Sequence, residues 1–323
     1  MKKSPEISIG LEKLGDVRFS KENQENLVAS IYENASKSSH LIFCDSAEIY
    51  GLNNSEKLLG KLAQKIGRQR FHISSKVGLT YKYEGSKLIT YRYFDEYSIK
   101  SALENSCKRL NSAPNRIYLH WPHATDSEVT INCLKSLVLF AEKLHIKEVG
   151  ICNVALGQPN ITLAILKDLG ISVVQERINL LCRKNKFLSN AKNLDFKVVS
   201  HSTFAQGILT NSSKEILEEG TQYEFPKFLN ESKHKYEYEW IDKVSSLMKE
   251  ISSKLGMNPH EIVIACQKIL LGENSEMIIG VRNKAHIDPI FNELRKVRID
   301  DSVYQKITDK LKTFQYEARL PNH

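Results

Sequence analysis

The fold class predicted is an α/β protein built as one parallel (β/α)8 barrel, and three observations predict it. Eight short apolar runs, rich in β-branched residues, are spread along the 323 residues. The stretches between most of them repeat apolar residues at helical spacing. The runs themselves are near-continuously apolar, as strands buried on both faces are. Strands that alternate with helices pair in parallel, and eight such units close into a barrel with the helices outside. A single barrel of this kind takes about this many residues, so the whole of 1–323 is read as one domain.

The strands follow in order. ISIGL (7–11) opens the barrel, and LIFCDSA (41–47) is the second run, four apolar residues closing on an acid. The amphipathic SEKLLGKLAQKI comes next, with Ser55 placed as its N-cap, and leads to RFHISSKV (70–77). TYKYEGSKLITYRYFDEY (80–97) is dense in Tyr, Lys and Arg, and its KYEGSK turn predicts a hairpin at the barrel mouth whose tyrosines line a polar substrate pocket. The helix SIKSALENSCKRL, capped by Ser98, precedes RIYLHW (116–121), and TINCLKSLVLFAEKL precedes KEVGICNV (147–154). SVVQERI (172–178) and FKVVSHS (196–202) come next. The charged QYEFPKFLNESKHKYEYE (222–239) reads as solvated linker or lid. WIDKVSSLMKEISSKLG, with Gly256 as its C-cap, precedes the last strand, EMIIGV (276–281).

Composition bounds the function. A net charge of +8 suggests an anionic partner, but the charge is scattered and no nucleic-acid module is present, so nucleic acid is not expected. The six cysteines have no CxxC spacing and sit mostly in apolar runs, as reduced thiols do in a cytoplasmic protein. No stretch reaches the ~18 apolar residues of a membrane span, and MKKSPEISIG lacks a signal-peptide core. No metal site is expected, and nothing in the sequence speaks to oligomeric state.

In a barrel of this class the reacting groups lie at the C-terminal ends of the strands. Here those ends carry Asp45 with Tyr50 after the second strand, Lys76 after the third and His120 after the fourth. Each alone fits a structural role; three successive strands ending this way point to chemistry. A phenol with an ordinary pKa of about 10 needs a nearby cation to act as an acid at neutral pH, and Lys76 is placed to supply it. Asp45 would hold that lysine charged, and His120 would donate a second hydrogen bond to a carbonyl oxygen protonated by Tyr50.

These segments resemble the aldo-keto reductases. FCDSAEIYGLNNSEKLLGKLA is similar to that family's signature around its catalytic Asp and Tyr, ISSKVG to the segment bearing its Lys, and SIKSALENSCKRLNSAPNRIYLHWPH to the stretch ending in its catalytic His. The likeness continues, in the family's order, through IKEVGICN, VVQERINLL, SHSTFAQGILT and MIIGVRN. It implies a barrel binding a nicotinamide cofactor, NADPH in preference to NADH, across its C-terminal face, and a small-molecule carbonyl or alcohol substrate.

The same resemblance implies cofactor contacts at Cys152, Asn153, Gln175, His201, Ser202, Phe204, Gly207, Gly280, Arg282 and His286. Cys152 stands where the family has Ser, and His201 where many members stack an aromatic ring on the nicotinamide. No lysine follows Gly207 near the pyrophosphate, and His286 replaces a frequent Gln. Arg282 suits a 2'-phosphate. A His201 that gained charge below its ordinary pKa of about 6.5 would tighten NADPH binding as pH falls. The expected activity is NAD(P)H-dependent reduction of an aldehyde or ketone, such as a sugar, or the reverse oxidation. Two alternatives stay open: a nucleotide-sensing regulatory subunit, and a non-redox lyase or isomerase using the Tyr-Lys pair as a base.

Overall fold

A computed structural model describes residues 4–15, 20–85, 87–154, 160–218, 234–292 and 294–315. Its strands are β1 (Glu6–Gly10), β2 (Ile42–Asp45), β3 (Phe71–Val77), β4 (Leu79–Glu84), β5 (Lys87–Arg92), β6 (Arg116–Leu119), β7 (Glu148–Cys152), β8 (Val173–Arg177), β9 (Lys197–His201) and β10 (Ser275–Gly280). All but β4 and β5 close one parallel barrel in the order β1-β10-β9-β8-β7-β6-β3-β2. Each of the eight expected runs supplies one barrel strand.

Helices surround the sheet: α1 (Lys21–Lys37), α2 (Asn54–Ile66), α3 (Glu96–Leu110), α4 (Ser127–Lys143), α5 (Leu163–Asp168), α6 (Asn185–Asn193), α7 (Ser213–Glu218), α8 (His234–Leu255), α9 (Pro259–Leu271), α10 (Lys284–Phe291) and α11 (Asp301–Lys310). Their apolar stripes, such as Leu59, Leu62 and Ala63 of α2 and Leu134 and Leu137 of α4, join strand residues such as Ile7, Ile42, Ile73, Ile117 and Ile151 in one buried core. Burying each such aliphatic side chain is worth roughly 1.5–3 kcal/mol.

Two caps differ from expectation. Asp95, not Ser98, caps α3: its carboxylate accepts from the Ser98 backbone N–H at 2.8 Å. Ser55 lies inside the first turn of α2, where its hydroxyl donates to Leu11 O at 2.9 Å and pairs with Ser46 Oγ at 2.8 Å. The cap of α3 thus lies three residues earlier, at Asp95, and at Ser55 a tertiary acceptor replaces the local capping bond. Gly256 follows α8 with φ +63°, the left-handed conformation of a helix stop.

The interior is filled in layers. Tyr118, Cys152, Val173, Val199 and Ile278 form a buried cluster inside the barrel. Gly150 is required there, since an added Cβ would lie 2.5 Å from the Tyr118 ring. Below it, near the N-terminal strand ends, Arg116 is fully buried and bonds Glu148 at 2.6 Å, Glu276 at 2.8 Å and Tyr118 Oη at 3.1 Å. His72 stands 3.4 Å from Glu148, and Lys197 3.7 Å from Glu276. This charged layer closes the end of the barrel opposite the candidate site.

The β4–β5 hairpin, turning at Gly85 (φ +61°), extends from the C-terminal end of β3. Of the stretch 222–239, residues 222–233 lie outside the described residues and 234–239 open α8. Among the described residues no helix is long and apolar enough to cross a membrane, and no group of three His, Cys, Asp or Glu could hold a metal ion.

Replacing Arg116 by Met strands two carboxylates, and the loss of a buried partner costs on the order of 3–5 kcal/mol, measurable by urea unfolding. Burial pushes Glu148 up, but the His72 hydrogen bond and the Arg116 charge bring it down to about 2 from an ordinary 4.5. A carboxyl depressed on folding contributes stability above its ordinary value and loses it as pH falls through its folded value. The contribution of Glu148 is therefore complete above about pH 4.5 and fades toward pH 2, and the acid limb of stability should be shallower in Arg116→Met.

Candidate active site

The site begins where β2 ends. Its apolar run brings Asp45 to the C-terminal rim at 3 % exposure, paired in register with Gly10 of β1 and Ser74 of β3. The chain then turns, Tyr50 N donating to Ala47 O at 3.1 Å, and returns Tyr50 over the rim. Lys76, near the end of β3 and only 1 % exposed, meets both. Its ammonium donates to the Asp45 carboxylate, to Ser46 O at 2.9 Å and to Tyr50 Oη at 3.2 Å. Three acceptors match the three N–H bonds of an ammonium, which leaves the lysine one orientation.

Burial works against the charge on Lys76, yet Asp45 and Tyr50 hold it above the ordinary lysine range. Burial likewise lifts the Asp45 carboxyl, while Lys76 and the Gln175 amide pull against it. The Tyr50 phenol departs from the expected tuning. Burial raises it above its ordinary value and outweighs the pull of Lys76, so Tyr50 carries its proton at neutral pH.

His120 continues β6, its backbone N–H donating to Val77 O at 2.8 Å. Its ring lies 5.8 Å from that of Tyr50, nearly perpendicular at 79°. Burial, then Lys76 and Arg92, depress its pKa well below the ordinary value, so the imidazole is neutral. Its Nδ1 is buried with no hydrogen-bond partner among the described residues.

Strands β7 to β9 supply a second row. Gln175 donates to the other Asp45 oxygen at 2.9 Å and accepts from the Cys152 thiol at 3.4 Å. Asn153, held at φ +61°, donates to His120 O at 3.5 Å, and its Oδ1 pairs with His201 Nε2 at 3.0 Å. The other ring nitrogen of His201 pairs with Ser202 Oγ at 3.0 Å. His201 is thus hydrogen-bonded at both ring nitrogens. Burial, then Arg177 and Lys184, hold its pKa well below the ordinary value. This runs against the expectation of a His201 that gains charge on mild acidification, because burial, ahead of the cations that face it, disfavours the charged ring.

The remaining expected residues lie farther round the rim. Ser202, Ala205, Gln206 and Gly207 all take positive φ, and Thr203 Oγ1 ties their loop to Ile278 O at 2.8 Å. Phe204 packs edge-on to His260, 5.0 Å between centroids. Gly280 ends β10 exposed, and Arg282 N donates to His286 Nδ1 at 3.3 Å, so His286 folds back on its own loop. Sequence reasoning missed the Glu48–Tyr93 hydrogen bond and the Ser46 carbonyl. The buried Glu48 inside DSAEIYG was a signal for the first; a backbone acceptor leaves none.

Comparison with known proteins settles the family: the description "Aldo/keto reductase family" matches residues 6–312. The chain belongs to the aldo/keto reductase family. Aldo-keto reductase YhdN of Bacillus subtilis (strain 168) is 24 % identical over 214 residues, 65 % of this chain and 61 % of that protein. Probable aldo-keto reductase 1 of Glycine max is 28 % identical over 162 residues, 45 % of this chain and 43 % of its own. The matched stretches thus span less than two thirds of either relative. Among solved structures, the glycerol dehydrogenase AKR11B4 from Gluconobacter oxydans superposes with a TM-score of 0.75 at 17 % identity, covering 100 % of this chain and 98 % of its own. An aldo/keto reductase from Klebsiella pneumoniae in complex with NADP and acetate gives 0.65 at 14 % identity, covering 100 % and 99 %. These likenesses concern the fold.

In this aldo/keto reductase the two histidines at the rim should stay neutral under mild acidification. The imidazole NMR signals of His120 and His201 are expected not to titrate between pH 8 and pH 6, and a titration of either in that window would show that burial and the neighbouring cations do not control it.

Proposed function

We propose that this protein is an NADPH-dependent reductase of aldehydes or ketones, acting also in the reverse direction on alcohols. One observation carries the reading: a single buried ammonium, that of Lys76, bonds both an acid and a phenol at the barrel rim, with the neutral imidazole of His120 opposite the phenol. The rim fits a nicotinamide nucleotide. Two side-chain amides, Asn153 and Gln175, stand beside these four residues, the loop Ser202 to Gly207, with positive φ at Ser202, Ala205, Gln206 and Gly207, offers backbone groups next to them, and Arg282 lies beyond the exposed Gly280. The NADP of the Klebsiella pneumoniae neighbour favours the phosphorylated nucleotide.

The nicotinamide, when bound, supplies the hydride that goes to the carbonyl carbon. Tyr50, protonated at neutral pH, gives its proton to the carbonyl oxygen. The phenolate left behind faces the Lys76 ammonium, which Asp45 keeps charged and Gln175 steadies through the second Asp45 oxygen. His120 presents a neutral N–H donor to the same carbonyl oxygen, stabilising negative charge as it develops. Asn153 and Gln175 would hold the cofactor's amide, with Cys152 bonded to Gln175. His201, Ser202, Phe204 and Gly207 would border its nicotinamide and pyrophosphate, while Gly280, Arg282 and His286 would take the adenosine end.

Tyr50→Phe should lower kcat/KM by about 100- to 10,000-fold while the circular dichroism spectrum and NADPH fluorescence titration stay as in the parent protein. Lys76→Met should be comparably inactive. Adding Asp45→Asn to it should cost little more, because the two act through one ion pair. Near-parent activity of Tyr50→Phe would overturn the assignment, and NADPH binding without turnover of any carbonyl would favour a regulatory role.

Arg282→Ala should lower the preference for NADPH over NADH by removing a charge-assisted bond worth about 1.5–3 kcal/mol. Equal affinity of the parent protein for both nucleotides would show that Arg282 does not read the 2'-phosphate.

A further inference from the structure

We propose that Arg92 is a specificity-determining residue that selects carbonyl substrates carrying an anionic group, a carboxylate or phosphate, through a guanidinium poised at the mouth of the barrel. This rests on the reading of Tyr50 and His120 as the reacting site. Arg92 ends β5, the second strand of the hairpin that extends from the Lys76 strand. The next residue pins the hairpin to the rim: Tyr93 N donates to Gly78 O at 3.2 Å and its hydroxyl to Glu48. From the other strand, Tyr81 Oη accepts from Asn53 Nδ2 at 2.9 Å, in the loop just past Tyr50.

The guanidinium itself lies 5.2 Å over the ring of Trp121, the residue after His120, and reaches Pro122 O at 3.4 Å. It is close enough to His120 for its charge to help keep that imidazole neutral. Burial already lowers the pKa of Arg92. Among the described residues its hydrogen bond goes to a backbone carbonyl and no carboxylate pairs with it. A guanidinium has five N–H donors, and one long bond to a carbonyl oxygen leaves most of the fork open. Among the described residues, other half-buried or buried cations are better satisfied: Arg109 has Glu56, Arg116 has Glu148 and Glu276, Lys184 has Glu176, while Arg68 and Lys268 each donate to three or more oxygens. Arg92 is set apart by lying beside His120 and Trp121 with a single long bond to a carbonyl oxygen, and a carboxylate or phosphate is the group its fork matches.

The stacking on Trp121 adds to this. A guanidinium laid on an indole face keeps its plane fixed and its edge free, so less rotamer freedom is lost when an anion is bound at that edge. The substrate class that follows is an aldehyde or ketone whose carbonyl sits between Tyr50 and His120 and whose anionic end turns toward the hairpin.

Matched pairs test the proposal: 4-oxobutanoate against butanal, 4-carboxybenzaldehyde against benzaldehyde, and glyceraldehyde 3-phosphate against glyceraldehyde, each with NADPH. The parent protein should favour the anionic member in kcat/KM by on the order of 10-fold or more, with the carboxylate and phosphate pairs separating the two sources of charge. Arg92→Met should erase that preference while leaving turnover of butanal and benzaldehyde within about 2-fold, and Arg92→Lys should keep part of it. No preference in the parent protein, or an equal loss on neutral and anionic members in Arg92→Met, would overturn the proposal and make Arg92 a structural prop of the Trp121 loop. Should no aldehyde be reduced at all, the reductase reading fails on its own. The subsite is then judged by quenching of tryptophan fluorescence with 4-carboxybenzaldehyde. Saturable quenching that is lost in Arg92→Met supports it, and no such difference overturns it.

Discussion

The interaction on which the rest of the site depends is the hydrogen-bonded ammonium of Lys76. A lysine with 1 % exposure is costly unless each of its N–H bonds finds an acceptor, and Asp45, the Ser46 carbonyl and Tyr50 provide three. That requirement ties β2, the turn after it and β3 into one arrangement. Removing any acceptor would leave a buried donor open, so the phenol and the acid are held by the same energetic demand that keeps the lysine in place. Asp45 is constrained in turn, since its second oxygen is taken by Gln175 from the far side of the barrel.

The barrel makes this economical because it sets the height of each strand end. Asp45 pairs with Ser74, Lys76 with Tyr118 and Cys152 with Gln175, so residues from strands far apart in sequence come to one rim. The interior below is filled by Tyr118 and its apolar neighbours, with Gly150 clearing space for the Tyr118 ring, and the opposite end is closed by the Arg116 cluster. Charge is therefore concentrated at both ends of the barrel with a dry layer between. At the rim the result is low hydration, which explains why burial, ahead of any neighbouring charge, dominates the ionisation of Tyr50, His120 and His201.

His201 orders its neighbours through both of its ring nitrogens. An imidazole offers two hydrogen-bonding nitrogens, and here both are engaged, by Asn153 and by Ser202. The ring orders the amide that stands next to it. Positive φ at Asn153, Ser202, Ala205 and Gln206 puts four non-glycine residues in a sparsely populated conformation along the same stretch of rim, the kind of backbone strain that a surrounding fold must hold in place.

The sequence by itself determined the eight strands and their order, because a doubly buried strand has to be a short apolar run and a helix has to repeat near 3.6 residues. It also determined which polar residues close those runs, Asp45, Lys76 and His120 among them, with Tyr50 one turn beyond. What only the tertiary structure decided depends on partners distant in the chain. Ser55 left its expected cap for Leu11 O, 44 residues away in sequence. Gln175 reaches Asp45 across 130 residues, and the protonation of Tyr50 and His201 follows from what buries them. Arg92 in its Tyr-rich hairpin reads in sequence as one more basic residue. Its meaning comes from the Trp121 ring beneath it and the lack of an acidic neighbour among the described residues, and composition and periodicity record neither, since both describe a residue's own segment and these effects arise between segments.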